Sequence, residues 1–122
     1  MPYTWHNLWA AGAPPILWLS KNKGPEYVSA QGNLLGFNEF LLGHQTFTMQ
    51  PGDRIAIFTD GLYEIQTLNK RELSYKALER MLVQTWSEPP EQATISLTDK
   101  IKELRAPDSP EDDITLVILD FT

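Results

Sequence analysis

The chain has 122 residues, 42% of them hydrophobic and none of them cysteine, and its formal net charge is −6. That length suits one domain able to bury roughly two-thirds of its unfolded surface, and that hydrophobic content excludes a disordered tail. The acidic balance argues against nucleic acid, which requires a basic face, and a cysteine-free chain has no disulfide, thiolate nucleophile or thiolate zinc site.

The first third reads as strands and turns. Tyr3 to Ala10 is aromatic-rich, Gly12-Ala13-Pro14-Pro15 breaks regular structure, and Ile16 to Ser20 is a second extended run. Lys21-Asn22-Lys23-Gly24 predicts a hairpin turn into a strand from Glu26 to Ser29. Gly32 to Gly43 reads as loop. Gln45 to Gln50 alternates polar and apolar, and Pro51-Gly52 carries a type II turn signature, with Asp53 a structural member of that turn. Arg54 to Thr59 is apolar on both faces, the mark of an interior strand, and stops at Asp60-Gly61.

Two helices are predicted next. Ser74 can cap the first, with Ala77, Leu78, Met81, Leu82 and Thr85 on one face. Ser87 is read as the cap of the second, whose stripe is Ala93, Leu97, Ile101 and Leu104. Glu88 and Glu91 near its start, and Lys100, Lys102 and Arg105 near its end, suit the helix dipole. Ala106 to Pro110 is loop, and Ile114 to Leu119 is a final strand, again apolar on both faces. No leader and no membrane-length apolar run is visible, so a cytoplasmic setting without membrane partners is expected.

Asp60 follows one interior strand, while Asp112 and Asp113 precede another. If those strands are antiparallel neighbours, the acidic residues share one sheet edge; parallel neighbours would separate them. Carboxylates so gathered repel unless a cation binds or some take up protons, and an all-oxygen set favours Mg²⁺ or Mn²⁺. Asp-Gly is also an ordinary turn dipeptide, so spacing alone leaves a solvated turn as the alternative.

Four ordered stretches carry a family resemblance. Pro51-Gly52-Asp53-Arg-Ile-Ala-Ile-Phe-Thr59-Asp60-Gly61-Leu-Tyr-Glu64 resembles the strand and acidic turn of SpoIIE- and RsbU-type phosphatases of the PPM (type 2C) class. Glu111-Asp112-Asp113-Ile114-Thr115-Leu-Val-Ile-Leu119 resembles their closing strand. Ala11-Gly12-Ala13-Pro14-Pro15 is similar to their Ala-Gly-His-Pro-Pro turn, and Leu35-Gly36 to a later Leu-Gly turn.

The resemblance implies an α/β fold of the α+β type, part of a layered sandwich in which antiparallel β-sheets are flanked by two helices. Residues 1–122 would be the C-terminal half of the phosphatase domain. Metal ligation is carried over to Asp60 and Asp112, with Gly61 allowing a tight turn beside the ions and Asp113, often Asn in relatives, as the neighbouring candidate. Thr59 and Thr115 would serve the sheet.

The complete domain would use two Mg²⁺ or Mn²⁺ ions against phosphoserine or phosphothreonine. Its substrate would be a phosphorylated regulatory protein of the anti-anti-sigma kind, and a sensory or receiver domain would precede it. Ala13 replaces the family histidine, and the family's N-terminal acidic motifs have no counterpart here. The chain alone is therefore expected to be inactive, the alternative being a pseudophosphatase that acts as an interaction module. Unpaired strands would favour a homo-oligomer. His6 and His44 are assigned to sheet or loop, and Trp5, Trp9, Trp18 and Trp86 to core or interface. Glu64 stays open between assisting the metal site and a solvated loop.

Overall fold

Six strands and two helices form in a computed structural model that describes residues 4–10, 16–28, 43–69, 71–109 and 113–122, apart from the side chains at 4, 5, 7, 9, 10 and 43. Strands β1 (Thr4–Ala10) and β4 (Gly43–Met49) make a two-stranded antiparallel sheet. Strands β2 (Ile16–Ser20), β3 (Gly24–Val28), β5 (Arg54–Phe58) and β6 (Leu116–Asp120) make a second antiparallel sheet, ordered β3-β2-β5-β6. Helices α1 (Tyr75–Gln84) and α2 (Pro90–Leu104) lie between β5 and β6 in sequence. The fold is α+β with antiparallel sheets, as the family resemblance implied. The Ala11–Pro15 turn, Leu35-Gly36 and Asp112 lie outside the described residues.

Alternation along the strands builds two cores, one on each face of the larger sheet. Leu17, Leu19, Ala56 and Phe58 face the helices, where Leu78, Met81 and Leu82 of α1 and Leu97 and Ile101 of α2 meet them. Ile16, Trp18, Val28 and Ile55 face the smaller sheet and pack with Met49, Phe47 and Leu8. Leu17, Leu19, Leu78, Leu82 and Leu97 are almost fully buried, and each contributes about 1.5–3 kcal/mol by leaving water. Ser74 caps α1, its Oγ accepting the Ala77 N–H at 3.1 Å. The turn glycines Gly24 and Gly52 take φ of 81° and 98°, conformations that disfavour a β-carbon.

Two expectations are corrected. Ser87 does not cap α2: Pro89 holds the N-cap position without a side-chain bond, and the helix begins at Pro90. Proline biases its predecessor away from helical geometry and itself suits the first helical position, so Pro89-Pro90 sets the boundary. The last strand begins at Leu116 rather than Ile114, and it is an edge strand with one apolar face open, Val117 and Leu119 being exposed.

Asp53 and Arg54 are each 1% exposed. Asp53 accepts hydrogen bonds from Trp18 Nε1 (3.0 Å), the Lys21 N–H (2.8 Å) and the Gln50 N–H (3.1 Å). Arg54 pairs bidentately with Asp120 and donates to the carbonyls of Thr85 (3.0 Å) and Glu88 (2.6 Å). Removing one partner from such a network leaves buried polar groups unsatisfied. We expect Asp53→Ala and Arg54→Ala each to lower stability by about 3 kcal/mol in urea unfolding; an unshifted midpoint in either would refute that variant's structural role.

Candidate metal centre

The acidic edge is made by the β5–β6 pairing. Phe58 opposes Leu116, and the ladder continues one step further, the Thr59 N–H donating to Thr115 O (3.1 Å) and the Thr115 N–H to Thr59 Oγ1 (3.0 Å). Both threonines thus serve the sheet. Because the strands are antiparallel, Asp60 leaves one as Asp113 approaches the other, at the same end of the sheet. Both residues are exposed there.

Residues Asp60–Leu62 form one 3-10 turn. The Leu62 N–H donates to Thr59 O (3.1 Å), and the Asp60 carbonyl accepts the N–H groups of Tyr63 (3.2 Å) and Glu64 (3.0 Å). Leu62 is fully buried and pins the turn to the core. Gly61 is buried too, but its tight turn uses no left-handed backbone, which among the described glycines belongs to Gly24 and Gly52.

An aromatic group fastens this turn to the start of α1. The rings of Tyr63 and Tyr75 lie 4.7 Å apart, Phe58 meets Tyr63 edge-on at 6.3 Å, and the Tyr27 hydroxyl donates to the Tyr75 carbonyl at 2.9 Å. The hydrogen bond to Tyr75 raises the Tyr63 pKa well above the ordinary phenol range, helped by burial and by the charges of Asp60 and Glu64. Burial, then the charge of Glu79, pushes Tyr27 up to about 12. Sequence reasoning missed this cluster, whose members are scattered along the chain; tyrosines at 63 and 75 flanking the acidic turn and the helix cap were the available signal.

Beside the turn lies a cleft of about 290 Å³ lined by Gly61, Glu64, Ile65, Gln66, Glu72, Arg105 and Ile114. Glu64 therefore stands on the wall of a cleft adjoining the acidic edge, with its side chain exposed. His6 and His44 lie on β1 and β4, within the smaller sheet. Trp18 is core, and Trp86 Nε1 donates to Gly52 O at 3.1 Å; the side chains of Trp5 and Trp9 are outside the described set. The exposed oxygen donors of Asp60 and Asp113 fit a hard divalent cation in kind. In number they fall short, since the described residues contain no group of three or more His, Cys, Asp or Glu able to hold a metal.

A family model described as Stage II sporulation protein E (SpoIIE) matches residues 2–122. The chain is similar to the SiaA PP2C domain of Pseudomonas aeruginosa, with a TM-score of 0.79 at 18% identity over 95% of this chain and 47% of that one. The phosphatase domain of the cell fate determinant SpoIIE from Bacillus subtilis, presoaked with Mn, gives 0.71 at 18% over 95% and 50%. The RsbU and RsbW domains of a Mycobacterium tuberculosis protein give 0.73 at 19% over 95% and 32%. The chain thus spans half or less of each of these structures, and at these identities the likeness is one of fold. No curated protein matches it.

The raised Tyr27 pKa has a definite sign. The folded state keeps this proton when the unfolded chain has lost it, so the contribution to stability is full below about pH 10 and is lost as pH rises towards 12. We expect the melting temperature to fall across that window and to fall less steeply in Tyr27→Phe. Equal slopes for the two proteins would refute the assignment.

Proposed function

The chain belongs to the SpoIIE family, and from that premise we propose that residues 1–122 form the C-terminal half of a metal-dependent protein serine/threonine phosphatase domain. The observation that carries the proposal is the Thr59–Thr115 pairing, which brings the Asp60 turn and the approach to β6 to one sheet edge. Asp60 and Asp112 would hold divalent cations, with the Gly61 backbone and Asp113 beside them. Two Mg²⁺ or Mn²⁺ ions, when bound, supply an activated water and neutralise charge on a phosphoryl group.

This chain's own residues orient and support. The Leu62 anchor and the Tyr63–Tyr75 contact keep the Asp60 carboxylate directed outward from a fixed turn, so little reorganisation is needed when a phosphate ester approaches. The cleft walled by Glu64, Glu72 and Arg105 offers room for residues flanking the phosphorylated side chain. The proposed substrate is phosphoserine or phosphothreonine on a regulatory protein, of the anti-anti-sigma kind, acted on in the cytoplasm under an upstream sensory or receiver domain. Among the described residues, no helix is long and apolar enough to cross a membrane. A second reading, a pseudophosphatase acting as an interaction module, is favoured by Ala13 standing where the family has histidine.

The test is phosphate release by the chain joined to the N-terminal half of its domain. Hydrolysis should require Mn²⁺ or Mg²⁺ and fall at least about 100-fold in Asp60→Asn and in Asp112→Asn. Full activity in both variants would overturn the ligand assignments. Without that half, we expect weak Mn²⁺ binding, read as paramagnetic broadening around Asp60 and Asp113, and no turnover. Robust turnover by the 122 residues alone would overturn the divided-site reading.

A further inference from the structure

Asp60-Gly61 is the one place in the sequence where glycine follows an aspartate or asparagine. That dipeptide carries a reaction of its own. The glycine nitrogen, with no side chain beside it, attacks the carboxyl carbon of the aspartate before it. A C–N bond forms, a carboxyl oxygen leaves as water with the amide proton and one proton from solvent, and a five-membered succinimide results. Water then opens the ring at either carbonyl. One opening gives back aspartate, and the other routes the backbone through the side-chain carboxyl as isoaspartate. Nothing is oxidised or reduced, and water is the sole co-reactant.

The ring closes only when Gly61 N and Asp60 Cβ eclipse about the Asp60 Cα–C bond. In the 3-10 turn Asp60–Leu62, a helical ψ of about −20 to −30° holds them roughly a quarter-turn apart. Reaching the reactive geometry means turning that bond, and what is attached to it resists. The Asp60 carbonyl turns with it and loses the N–H groups of Tyr63 (3.2 Å) and Glu64 (3.0 Å). Gly61 and Leu62, both buried, swing out of their packing, and the Leu62 N–H leaves Thr59 O. The Asp60 side chain is exposed, so water and room for the carboxyl are not the obstacle. The backbone is.

We propose that Asp60-Gly61 is a modification site gated by this turn, unreactive while Leu62 is seated and converted to isoaspartate when the turn opens. Conversion adds a methylene to the main chain and leaves the carboxylate directly on Cα, one carbon shorter than the original side chain. The acid keeps its charge but not its place. Refolding does not reverse the change, so isoaspartate accumulates with the time spent open. The reaction rests on the turn alone; its consequence for metal binding rests on the proposed function.

The test follows isoaspartate at position 60 by peptide mapping of the 122-residue protein, kept metal-free at neutral pH and one temperature. In urea beyond the unfolding transition, the residue should isomerise at least about tenfold faster than in native buffer. Leu62→Ala, whose turn has lost its buried anchor, should react at least about threefold faster than the parent in native buffer, with its far-UV circular dichroism unchanged. Equal rates for the folded and unfolded parent would overturn the proposal. So would a Leu62→Ala protein that keeps both its fold and the parent's rate. Should Leu62→Ala unfold, the ratio between urea and native buffer in the parent decides alone. Phosphatase activity and metal binding enter neither readout, so this inference and the proposed function can fail separately.

Discussion

Two adjacent charged residues, buried at the start of the central strand, hold the rest of the molecule in register. Neighbouring strand residues point to opposite faces, so Asp53 and Arg54 act in different layers. Asp53 gathers the β2–β3 turn, the β4–β5 turn and the Trp18 indole. Arg54 reaches under the helices to the α1–α2 connection and sideways to Asp120 on β6. Burying these groups costs desolvation energy, so their value depends on every lone pair and N–H finding a partner. A planar guanidinium meets a carboxylate and two carbonyls together in a way an ammonium would not.

That network sits at the beginning of β5, and the acidic turn sits at its end. The two ends of β5 thus differ in kind. Charges at one end are buried, satisfied internally and fix strand positions, while Asp60 and Asp113 at the other are exposed. The acidic end is held by lighter means: one extra ladder step at Thr59 and Thr115, the buried Leu62, and the tyrosine contacts that reach α1.

Much of this was legible in residue order. Ser74 announced its cap because a hydroxyl before an apolar helical stripe has one effective use there. Pro51-Gly52 announced a turn, and Asp53 was rightly given to structure, although its three partners lie up to 35 positions away. The antiparallel condition on Asp60 and the closing strand was stated from strand polarity and then met. Failures came where local signals competed or partners were distant. Ser87 lost to the prolines that follow it. The final strand reads apolar on both faces, yet sequence cannot say whether a neighbour covers the second face, and on β6 Val117 and Leu119 are left about half exposed. The tyrosine cluster draws on residues 27, 63 and 75, a proximity no periodicity encodes.

The β5–β6 ladder also bears on how the chain folds. Residues 54–58 must find residues 116–120 across an intervening segment that contains both helices. The β2–β3 hairpin and the α1–α2 pair join near neighbours and can form early, whereas this closure carries a large loop entropy and comes late. Because Asp60 and Asp113 meet only through it, the acidic edge does not exist in any intermediate lacking β6. Such an intermediate, its helices already built, would leave Asp60 and Asp113 apart. Assembly of the acidic edge and completion of the sheet would be one event in time.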